Sequence, residues 1–310
     1  MPFLSGVLVQ PPPEKRRLRG ILRREGNPVA SLGRLSLRCP MIQTEKILAR
    51  NNVKVIDGDG SVLLYAHGFG CNQNMWDRVT PAFKSTHKQV LFDYVGSGKS
   101  DLSAFDASKY GSLHGYAQDV LDICDALYLR SGVTFVGHSV SCSVGVLASI
   151  ARPELFDKLV LLGPNPCFVN HPPEYVGGFE KEDLEELLAL MDQNYIGWAN
   201  YLAPVVSGKG DAGVVTAELS DSFCSTDPTV AKVFARAAFF SDNRADLAKV
   251  NVPCLILQHR TDSLAPTSVG EYVHTQLAGS TLKILEVQGH SAHMAEPALV
   301  VAAIRDFVVA

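Results

Sequence analysis

Short apolar runs recur along the chain from about residue 61 and alternate with segments that have helical spacing. Six of these runs predict strands, and they span 61–68, 89–96, 133–139, 158–163, 254–258 and 282–287. Their nearly continuous apolar character is typical of central, parallel strands buried on both faces. The segment 116–127 sets apolar residues such as Val120 and Cys124 on one stripe, which predicts a helix packed on the sheet. The pattern predicts an α/β fold, with a mostly parallel central sheet flanked by helices.

The strand pattern stops between residues 165 and 245. Four helical stretches fill that interval, at 181–193, 196–206, 214–223 and 228–240. Strand spacing resumes close to residue 252. We interpret 165–245 as a helical lid inserted into an α/β core, which consists of residues 42–164 and 246–310.

Charge separates the first 40 residues from the rest of the chain. That segment holds eight basic and two acidic side chains, whereas the whole chain carries a formal net charge of −4. Three explanations stay open: an Arg-rich targeting peptide, a basic interaction arm, or an upstream extension that precedes a natural start at Met41. We favour the extension, because a fold-like pattern begins directly after Met41, and we expect residues 1–41 to be disordered.

The composition excludes several classes of protein. Hydrophobic residues make up 46% of the chain and charged residues 19%, which is too apolar for a disordered protein. The net charge gives no electrostatic case for nucleic-acid binding, and no apolar run approaches the roughly 18 residues of a membrane span. The seven cysteines are scattered and odd in number, which indicates thiols in a reducing compartment. We expect a cytoplasmic protein, with organellar targeting by residues 1–40 left open.

A candidate nucleophile lies in the segment GHSVS at residues 137–141, between a predicted strand and a helix of small residues. A strand that turns sharply into a helix with serine at the apex is a nucleophile elbow, which exposes the hydroxyl and requires small neighbours. The usual pattern is G-x-S-x-G, and here Ser141 replaces the final glycine. Ser139 is the candidate nucleophile, and a plain strand-to-helix turn is the alternative.

A nucleophile elbow needs an acid and then a histidine later in the chain. Asp262 follows the fifth predicted strand, and His290 follows the sixth. Each alone could be an ordinary turn or loop residue, but their joint placement and order favour a Ser-Asp-His triad. His293 is a rival base that we rank below His290. We expect His138 to line the pocket or to hydrogen-bond locally.

A third strand end carries the segment HGFG at residues 67–70, whose glycines let the backbone approach a ligand closely. Beside an elbow, the backbone amides of Phe69 and Val140 would form an oxyanion hole, where one donor typically contributes about 3 kcal/mol. A glycine turn with a buried aromatic is the alternative. The segment 96–100 resembles the end of a phosphate-binding loop but lacks its leading glycine, and the histidines form no metal motif. We expect no bound nucleotide and no metal.

These motifs resemble the RsbQ-like branch of the α/β-hydrolases, which includes the bacterial stress-response regulator RsbQ and the plant strigolactone and karrikin receptors. The resemblance covers residues 42–310 with the lid, through HGFGCNQNMWD, LFDYVGSGKSDL, YAQDVLD, GHSVS, LLGPNPCFVN, PPEYVGGFE, NYIGWA, FCSTDP, AAFFSDNR and QGHSAHM. The last serine of GHSVS is shared with the plant receptors. Residues 1–40 have no recognised counterpart.

The resemblance implies an α/β-hydrolase fold whose lid is four helices in a V over a small, mostly apolar cavity. By position it makes Ser139 the nucleophile, His290 the general base and acid, and Asp262 the carboxylate that orients His290. It assigns the oxyanion amides to Phe69 and Val140. It also implies a set of substrate-binding aromatic side chains under the lid, which are Phe168, Phe179, Trp198 and Phe240. Without the family, each of these aromatics is more often ordinary core.

The implied reaction is hydrolysis of a small hydrophobic ester or lactone through an acyl-enzyme, with no cofactor. Two biological roles stay open. One is a signalling regulator that binds a small hydrophobic ligand; in the RsbQ case the partner is a phosphatase with a PAS sensor domain. The other is a metabolic carboxylesterase or lactonase. The match within lid motifs such as FCSTDP favours the signalling role, and the complete triad disfavours an inactive binding module.

Overall fold

A seven-stranded sheet runs through the part of the chain that the computed structural model describes, residues 43–208 and 213–309. Its strands are β1 (Lys54–Ile56), β2 (Val62–Ala66), β3 (Lys88–Leu91), β4 (Val133–His138), β5 (Phe156–Leu162), β6 (Cys254–Thr261) and β7 (Ser280–Gln288). Their order along the sheet is β1-β3-β2-β4-β5-β6-β7, and β1 is antiparallel to β3, whereas the other neighbours are parallel. The predicted α/β fold with a mostly parallel sheet is confirmed.

Each of the six predicted strands overlaps an observed one, but β1 has no counterpart among the predictions. Lys54 and Val55 are exposed and Ile56 is half-buried, so this short edge strand shows no apolar run. β1 is held in the sheet by its pairing with β3, in which Val55 lies opposite Val90. A pattern that depends on burial cannot detect an edge strand of this kind.

Helices flank the sheet and connect its parallel strands. They are α1 (43–50), α2 (Ala107–Tyr110), α3 (Leu113–Ala126), α4 (Val140–Ala151), α5 (Lys181–Gln193), α6 (Tyr195–Ser207), α7 (Val214–Ser225), α8 (Pro228–Phe239), α9 (Arg244–Leu247), α10 (Thr267–Gln276), α11 (Ala292–Ala295) and α12 (Pro297–Val309). Short 3₁₀ turns cover Gln73–Trp76, Thr80–Phe83, Leu102–Ala104 and Pro153–Leu155. The helix predicted over 116–127 is α3.

Alternate side chains of β2 enter two different cores, one on each face of the sheet. Leu64 packs in a cluster with side chains of α3, α4 and α10. Leu63 and Tyr65 pack in the second cluster, with side chains of α12 and of the helices between β5 and β6. Because successive strand residues point to opposite faces, an unbroken apolar run is the pattern that a strand buried on both faces requires.

Four helices, α5 to α8, occupy the interval predicted for the lid. Their ends differ from those of the predicted helical stretches by at most two residues. The start of α8 shows why: the Asp227 carboxylate accepts the backbone N–H of Thr229 at 2.9 Å, and Pro228 takes the first helical position. Before α5, the loop contains two isolated bridges, Val169 with Phe179 and His171 with Tyr175. The boundaries 165–245 of the lid stay a prediction.

The predicted basic extension 1–41, with its candidate start at Met41, lies outside the described residues. Within the described ranges, no helix combines the length and the apolar character needed to cross a membrane. The six cysteines of these ranges are free thiols, and five of them are buried.

Candidate active site

Ser139 lies at a sharp turn between β4 and α4. Its φ is 58° and its ψ is −123°, a left-handed conformation that is uncommon for a residue with a side chain. The turn is tight, since a Cβ on Gly137 would lie only 2.7 Å from the carbonyl oxygen of Ser141. Small neighbours are therefore required, as expected for an elbow that presents a serine hydroxyl.

Ser141, which stands where the usual motif has glycine, is held by hydrogen bonds of its hydroxyl. Its hydroxyl hydrogen-bonds to the Tyr94 hydroxyl at 2.7 Å and to the carbonyl oxygen of His67 at 2.5 Å. The side chain is completely buried. A serine is tolerated at this position because these two polar groups are hydrogen-bond partners for its buried hydroxyl.

Asp262 and His290 meet at the carboxyl edge of the sheet. Because β6 and β7 are parallel neighbours, the loops that follow them lie side by side. The Nδ1 of His290 donates to Oδ2 of Asp262 at 2.7 Å, and both side chains are almost fully buried. The other oxygen, Oδ1, accepts the backbone N–H of Leu264 at 2.8 Å and of Ala265 at 3.1 Å.

The Asp262 carboxylate is ionised in this environment. Burial by itself would raise the pKa of this carboxyl. The neighbouring His290 and the hydrogen bonds from His259 and His290 outweigh burial, so the pKa of Asp262 lies below its usual value. An ionised Asp262 accepts a hydrogen bond from the Nδ1–H of His290. The Nε2 of His290 then carries no proton and is free to act on another group.

Ser139 and His290 line the same cavity, which has a volume of about 30 Å³. The Nε2 of His290 is buried and makes no hydrogen bond to any of the described residues, the Ser139 hydroxyl included. Catalytic hydrogen bonds are often long in an empty site and shorten when substrate binds. Ser139 and His290 therefore share one cavity without a hydrogen bond between them.

Of the two residues predicted to supply oxyanion amides, Phe69 lines this cavity and Val140 directly follows the cavity residue Ser139. Val140 is the first residue of α4, so its N–H is one of the four that a helix leaves without an internal acceptor. Phe69 lies in the turn after β2, where Cys71 donates its N–H to the carbonyl oxygen of Gly68. The Phe69 ring also lines the cavity and packs edge-to-face on Phe239, with centroids 5.6 Å apart.

His138 lines the cavity, and its hydrogen bond reaches a residue far away in the chain instead of a local neighbour. Its Nε2 lies 2.8 Å from the carbonyl oxygen of His290. The rival base His293 packs on the ring of His138, with centroids 4.4 Å apart. Both rings are buried, and burial lowers the pKa of each well below the usual value, so both are neutral at pH 7. His293 does not line the cavity.

One of the four predicted aromatic pocket residues, Phe168, lines the cavity. Phe179 lies behind it, with ring centroids 6.1 Å apart, and is not part of the cavity wall. Trp198 is buried behind Phe69, at 5.9 Å between centroids. Phe240 also lies outside the wall, and the guanidinium of Arg236 stands over its ring at 5.5 Å.

Several cavity residues were not predicted. They are Cys71, Leu202, Val206, Phe223, Phe239 and Leu264. Phe239 is the immediate neighbour of the predicted Phe240, and one step along a helix rotates a side chain by about 100°. No signal in the sequence selects between the two, because the rotation of α8 is set by its packing on the rest of the lid.

A larger groove, of about 550 Å³, lies between the loop after β2 and the lid helix α7. Arg78 and Glu218 form a bidentate ion pair there, with both N–O distances at 2.7 Å. The groove contains none of the predicted catalytic residues, and Cys71 contributes to both its wall and that of the small cavity. The predicted nucleophile Ser139 and the predicted base His290 therefore line the small cavity and not the larger groove.

Among the residues that the structure describes, two groups of side chains bring possible metal ligands within 4.8 Å of one another. One is His259, Asp262 and His290, where each Asp262 oxygen already accepts two N–H groups. The other is Cys167, His171 and Asp242. In that group, Arg244 holds both Asp242 oxygens, at 2.8 and 2.6 Å, and its positive charge disfavours a cation. We assign a metal to neither group.

The sequence matches the Alpha/beta hydrolase family over residues 63–303. The chain belongs to the α/β hydrolase family. This membership agrees with the sheet order, with the elbow at Ser139 and with the position of the helical lid. The predicted enzyme class, an α/β hydrolase of esterase type, is confirmed by the family and by the relatives below.

Two relatives of this α/β hydrolase are plant proteins. Strigolactone esterase RMS3 of Pisum sativum is 39% identical over 252 residues, which cover 81% of this chain and 94% of that protein. Karrikin insensitive 2 receptor IA of Petunia hybrida is 38% identical over 258 residues, covering 83% and 92%. The predicted resemblance to the plant receptor hydrolases is confirmed.

A solved structure is also similar to this α/β hydrolase. It is olei00960, a hydrolase from Oleispira antarctica, which is 46% identical. The TM-score is 0.83, and the match covers 86% of this chain and 97% of that one. The likeness therefore includes the lid as well as the core.

Proposed function

We propose that this α/β hydrolase is a serine hydrolase of small apolar esters or lactones that acts through an acyl-enzyme. The observation that carries the proposal is the shared cavity: Ser139 and the hydrogen-bonded pair of His290 and Asp262 meet at one enclosed, mostly apolar space. In this assignment Ser139 is the nucleophile, His290 the general base and acid, and Asp262 the group that orients His290.

The first half of the reaction forms the acyl-enzyme. The Nε2 of His290 takes the hydroxyl proton of Ser139 while Oγ attacks the carbonyl carbon of the ester. The backbone N–H groups of Phe69 and Val140 donate to the oxygen that becomes negative. Nε2 then gives its proton to the leaving alkoxide, which departs as an alcohol, or stays tethered to the acyl group if the substrate is a lactone.

The second half of the reaction regenerates the enzyme. Water enters the cavity, loses a proton to the Nε2 of His290 and attacks the acyl carbon. The same two amides hold the second oxyanion, and the Ser139 oxygen leaves with the proton from Nε2. Asp262 stays ionised throughout and holds the imidazole through Nδ1.

The size and lining of the cavity indicate the substrate class. Its wall is formed mainly by apolar side chains, among them Phe168, Phe223 and Phe239. A volume of about 30 Å³ is close to that of one water molecule, so even a small acyl group can enter only if the surrounding side chains move. Esterases among the relatives, such as strigolactone esterase RMS3, support an ester or lactone substrate.

The test is the mass of the intact protein after incubation with a small sulfonyl fluoride, together with hydrolysis of an aryl acetate. The wild type should gain one adduct and hydrolyse the ester, and Ser139→Ala should do neither. Ser143→Ala, which removes a hydroxyl one turn further along α4, is the matched control and should behave as the wild type. Full turnover by Ser139→Ala would refute the assignment of the nucleophile.

A signalling role is the second candidate. It is supported by relatives that are named as receptors, such as Karrikin insensitive 2 receptor IA, whose match to this chain extends over the lid. In this role a small hydrophobic ligand is held under the lid, and the lid contacts a protein partner. By analogy with RsbQ, that partner would be a phosphatase with a PAS sensor domain.

Kinetics distinguish the two roles. A receptor-like enzyme should release one equivalent of product in a burst and then turn over slowly, since a long-lived acyl-enzyme keeps the ligand under the lid. A metabolic esterase should turn over linearly, at the rates of about 1–10³ s⁻¹ that are common for enzymes. Rapid, linear product release from a lactone substrate, without a burst, would contradict the signalling role.

A further inference from the structure

Asp262 is shared between two histidines. Its Oδ2 lies 2.7 Å from Nδ1 of His290 and 2.9 Å from Nδ1 of His259. An ionised carboxylate can only accept hydrogen bonds, so both Nδ1 atoms carry the proton. The second histidine is not required by the triad, and the reaction described above does not use it.

His259 is buried as deeply as the triad itself. It is the sixth residue of β6, its side chain is inaccessible to solvent, and it does not line the cavity. Its Nε2 is buried without a hydrogen-bond partner among the described residues. Burial lowers the pKa of this imidazole, which is therefore neutral and has its single proton on Nδ1.

The four hydrogen bonds to Asp262 fix the carboxylate in one orientation. Oδ1 accepts two backbone N–H groups, from Leu264 and Ala265, and Oδ2 accepts the two imidazoles. A carboxylate has about four lone-pair sites, so all of them are filled. Without His259, Oδ2 would keep only the hydrogen bond from His290, and one of its two buried acceptor sites would be empty.

The surrounding backbone is adapted to the pair of rings. Gly163, which follows β5, has a φ of +60°, and a Cβ there would lie 3.1 Å from Cε1 of both His259 and His290. The two rings are perpendicular, with centroids 6.0 Å apart. A glycine at this position therefore leaves room for both imidazoles to reach the same oxygen.

We propose that His259 is a positioning residue that acts through Asp262: its Nδ1–H fixes the carboxylate so that Oδ2 aligns the imidazole of His290. The proposal rests on the proposed serine-hydrolase function. His259 touches neither substrate nor the reacting atoms. Its effect is confined to the alignment of His290, on which proton transfer depends.

Two substitutions of His259 differ by one hydrogen-bond donor. The side-chain amide of His259→Asn places an N–H where the imidazole has Nδ1, whereas His259→Leu has the same branched shape and no donor. We expect kcat for an aryl acetate to fall about tenfold in His259→Leu, with KM changed less than twofold, because binding contacts are unaffected. His259→Asn should retain kcat within about threefold of the wild type. Equal kcat values for the two variants would overturn the proposal.

Proton NMR gives a readout that does not depend on catalysis. The wild type should show two strongly downfield imidazole N–H signals, one for each Nδ1–H bound to Asp262. His259→Asn should keep the signal of His290 in place, and His259→Leu should shift it. An unshifted His290 signal in folded His259→Leu would refute the positioning role. If instead the wild type neither hydrolyses esters nor takes up the sulfonyl fluoride, the proposed function fails, whatever the NMR spectra show.

Discussion

The imidazole of His138 holds the backbone of His290: its Nε2 donates to the carbonyl oxygen of His290 at 2.8 Å. His138 is the last residue of β4 and immediately precedes Ser139. The bond therefore joins the strand that carries the candidate nucleophile to the loop that carries the candidate base. One buried side chain therefore connects the two ends of the proposed proton-transfer path.

Substitution of His138 should weaken both stability and catalysis. In His138→Met the carbonyl oxygen of His290 loses its donor, and an unpaired buried polar group costs about 1–3 kcal/mol of unfolding free energy. We also expect kcat to fall by roughly tenfold or more, because the loop of His290 gains freedom to move. Urea unfolding and aryl acetate hydrolysis measure the two effects.

His138→Gln is the matched control, since the amide nitrogen of glutamine takes the place of the imidazole Nε2. It should retain most of the stability and activity that His138→Met loses. If the two variants were equally impaired, the ring itself, and not the hydrogen bond, would be the important feature of His138.

Gly163→Ala should impair catalysis through the two imidazoles. A methyl group there lies 3.1 Å from Cε1 of His259 and of His290, and the φ of +60° disfavours any side chain. The backbone conformation alone costs about 1–2 kcal/mol of stability. We expect kcat to drop at least tenfold, because His290 must shift to make room.

Gly132→Ala separates backbone strain from crowding. Gly132 has a φ of +78°, and no atom lies within 4 Å of the position of its Cβ. This variant should lose similar stability but keep its kcat. A normal kcat in Gly163→Ala would show that the rings tolerate the methyl group.

The protein should lose stability as the pH falls below about 6.5. Burial lowers the pKa of four buried histidines, His67, His138, His259 and His293, and also that of the partly buried His87. Below pH 6.5 these histidines bind protons in the unfolded chain but not in the folded state. The stability that is complete above this pH is therefore progressively lost as the pH falls. Each histidine contributes at most about 1.4 kcal/mol per pH unit. Urea unfolding at pH 7.5, 6.5 and 5.5 measures the slope.

The carboxyl of Asp262 acts in a different pH range. Its pKa is lowered in the folded state, so its contribution is present above its ordinary pKa and is lost only in stronger acid, near pH 4 and below. The decrease between pH 6.5 and 5.5 can therefore be assigned to the histidines. His293→Phe should make that slope shallower, whereas substitution of the exposed His114 by Asn should leave it unchanged. A slope that does not respond to His293→Phe would contradict this assignment.

The size of Phe239 should limit the acyl group that the enzyme accepts. Phe239 lines the small cavity, and Phe240 does not. We expect Phe239→Leu to raise the ratio of kcat/KM for aryl butyrate to that for aryl acetate, by up to about tenfold, since one or two extra methylenes then fit. Phe240→Leu should leave the ratio as it is in the wild type. The same increase in both variants would show that the change acts through the lid as a whole.

The candidate catalytic residues are predictable from the sequence because each follows an apolar run. A short apolar run identifies a buried parallel strand, and the carboxyl ends of such strands meet at one edge. Ser139 and Asp262 follow a strand directly, and His290 follows one after a single residue, so their positions depend on local pattern and chain order alone. The four lid helices have equally local signals, such as Asp227 before Pro228 at the start of α8.

The supporting residues depend on tertiary structure. Whether Phe239 or Phe240 faces the cavity depends on how α8 is rotated against its neighbours. The bond of His138 to His290 joins residues 152 positions apart, and only the packing of two strand ends brings them together. His259 is separated from Asp262 by only three residues, yet its bond requires that β6 end at Thr261 and that the loop turn back.

The sequence by itself determined the fold class, the lid and the order of the three candidate catalytic residues, because these follow from periodicity and strand ends. The tertiary structure decided which aromatics form the cavity wall and which histidines hydrogen-bond to the candidate catalytic residues. The physical reason is that periodicity fixes which side of an element is buried. It does not fix how far each element is rotated or translated against the next, and contacts between elements depend on that.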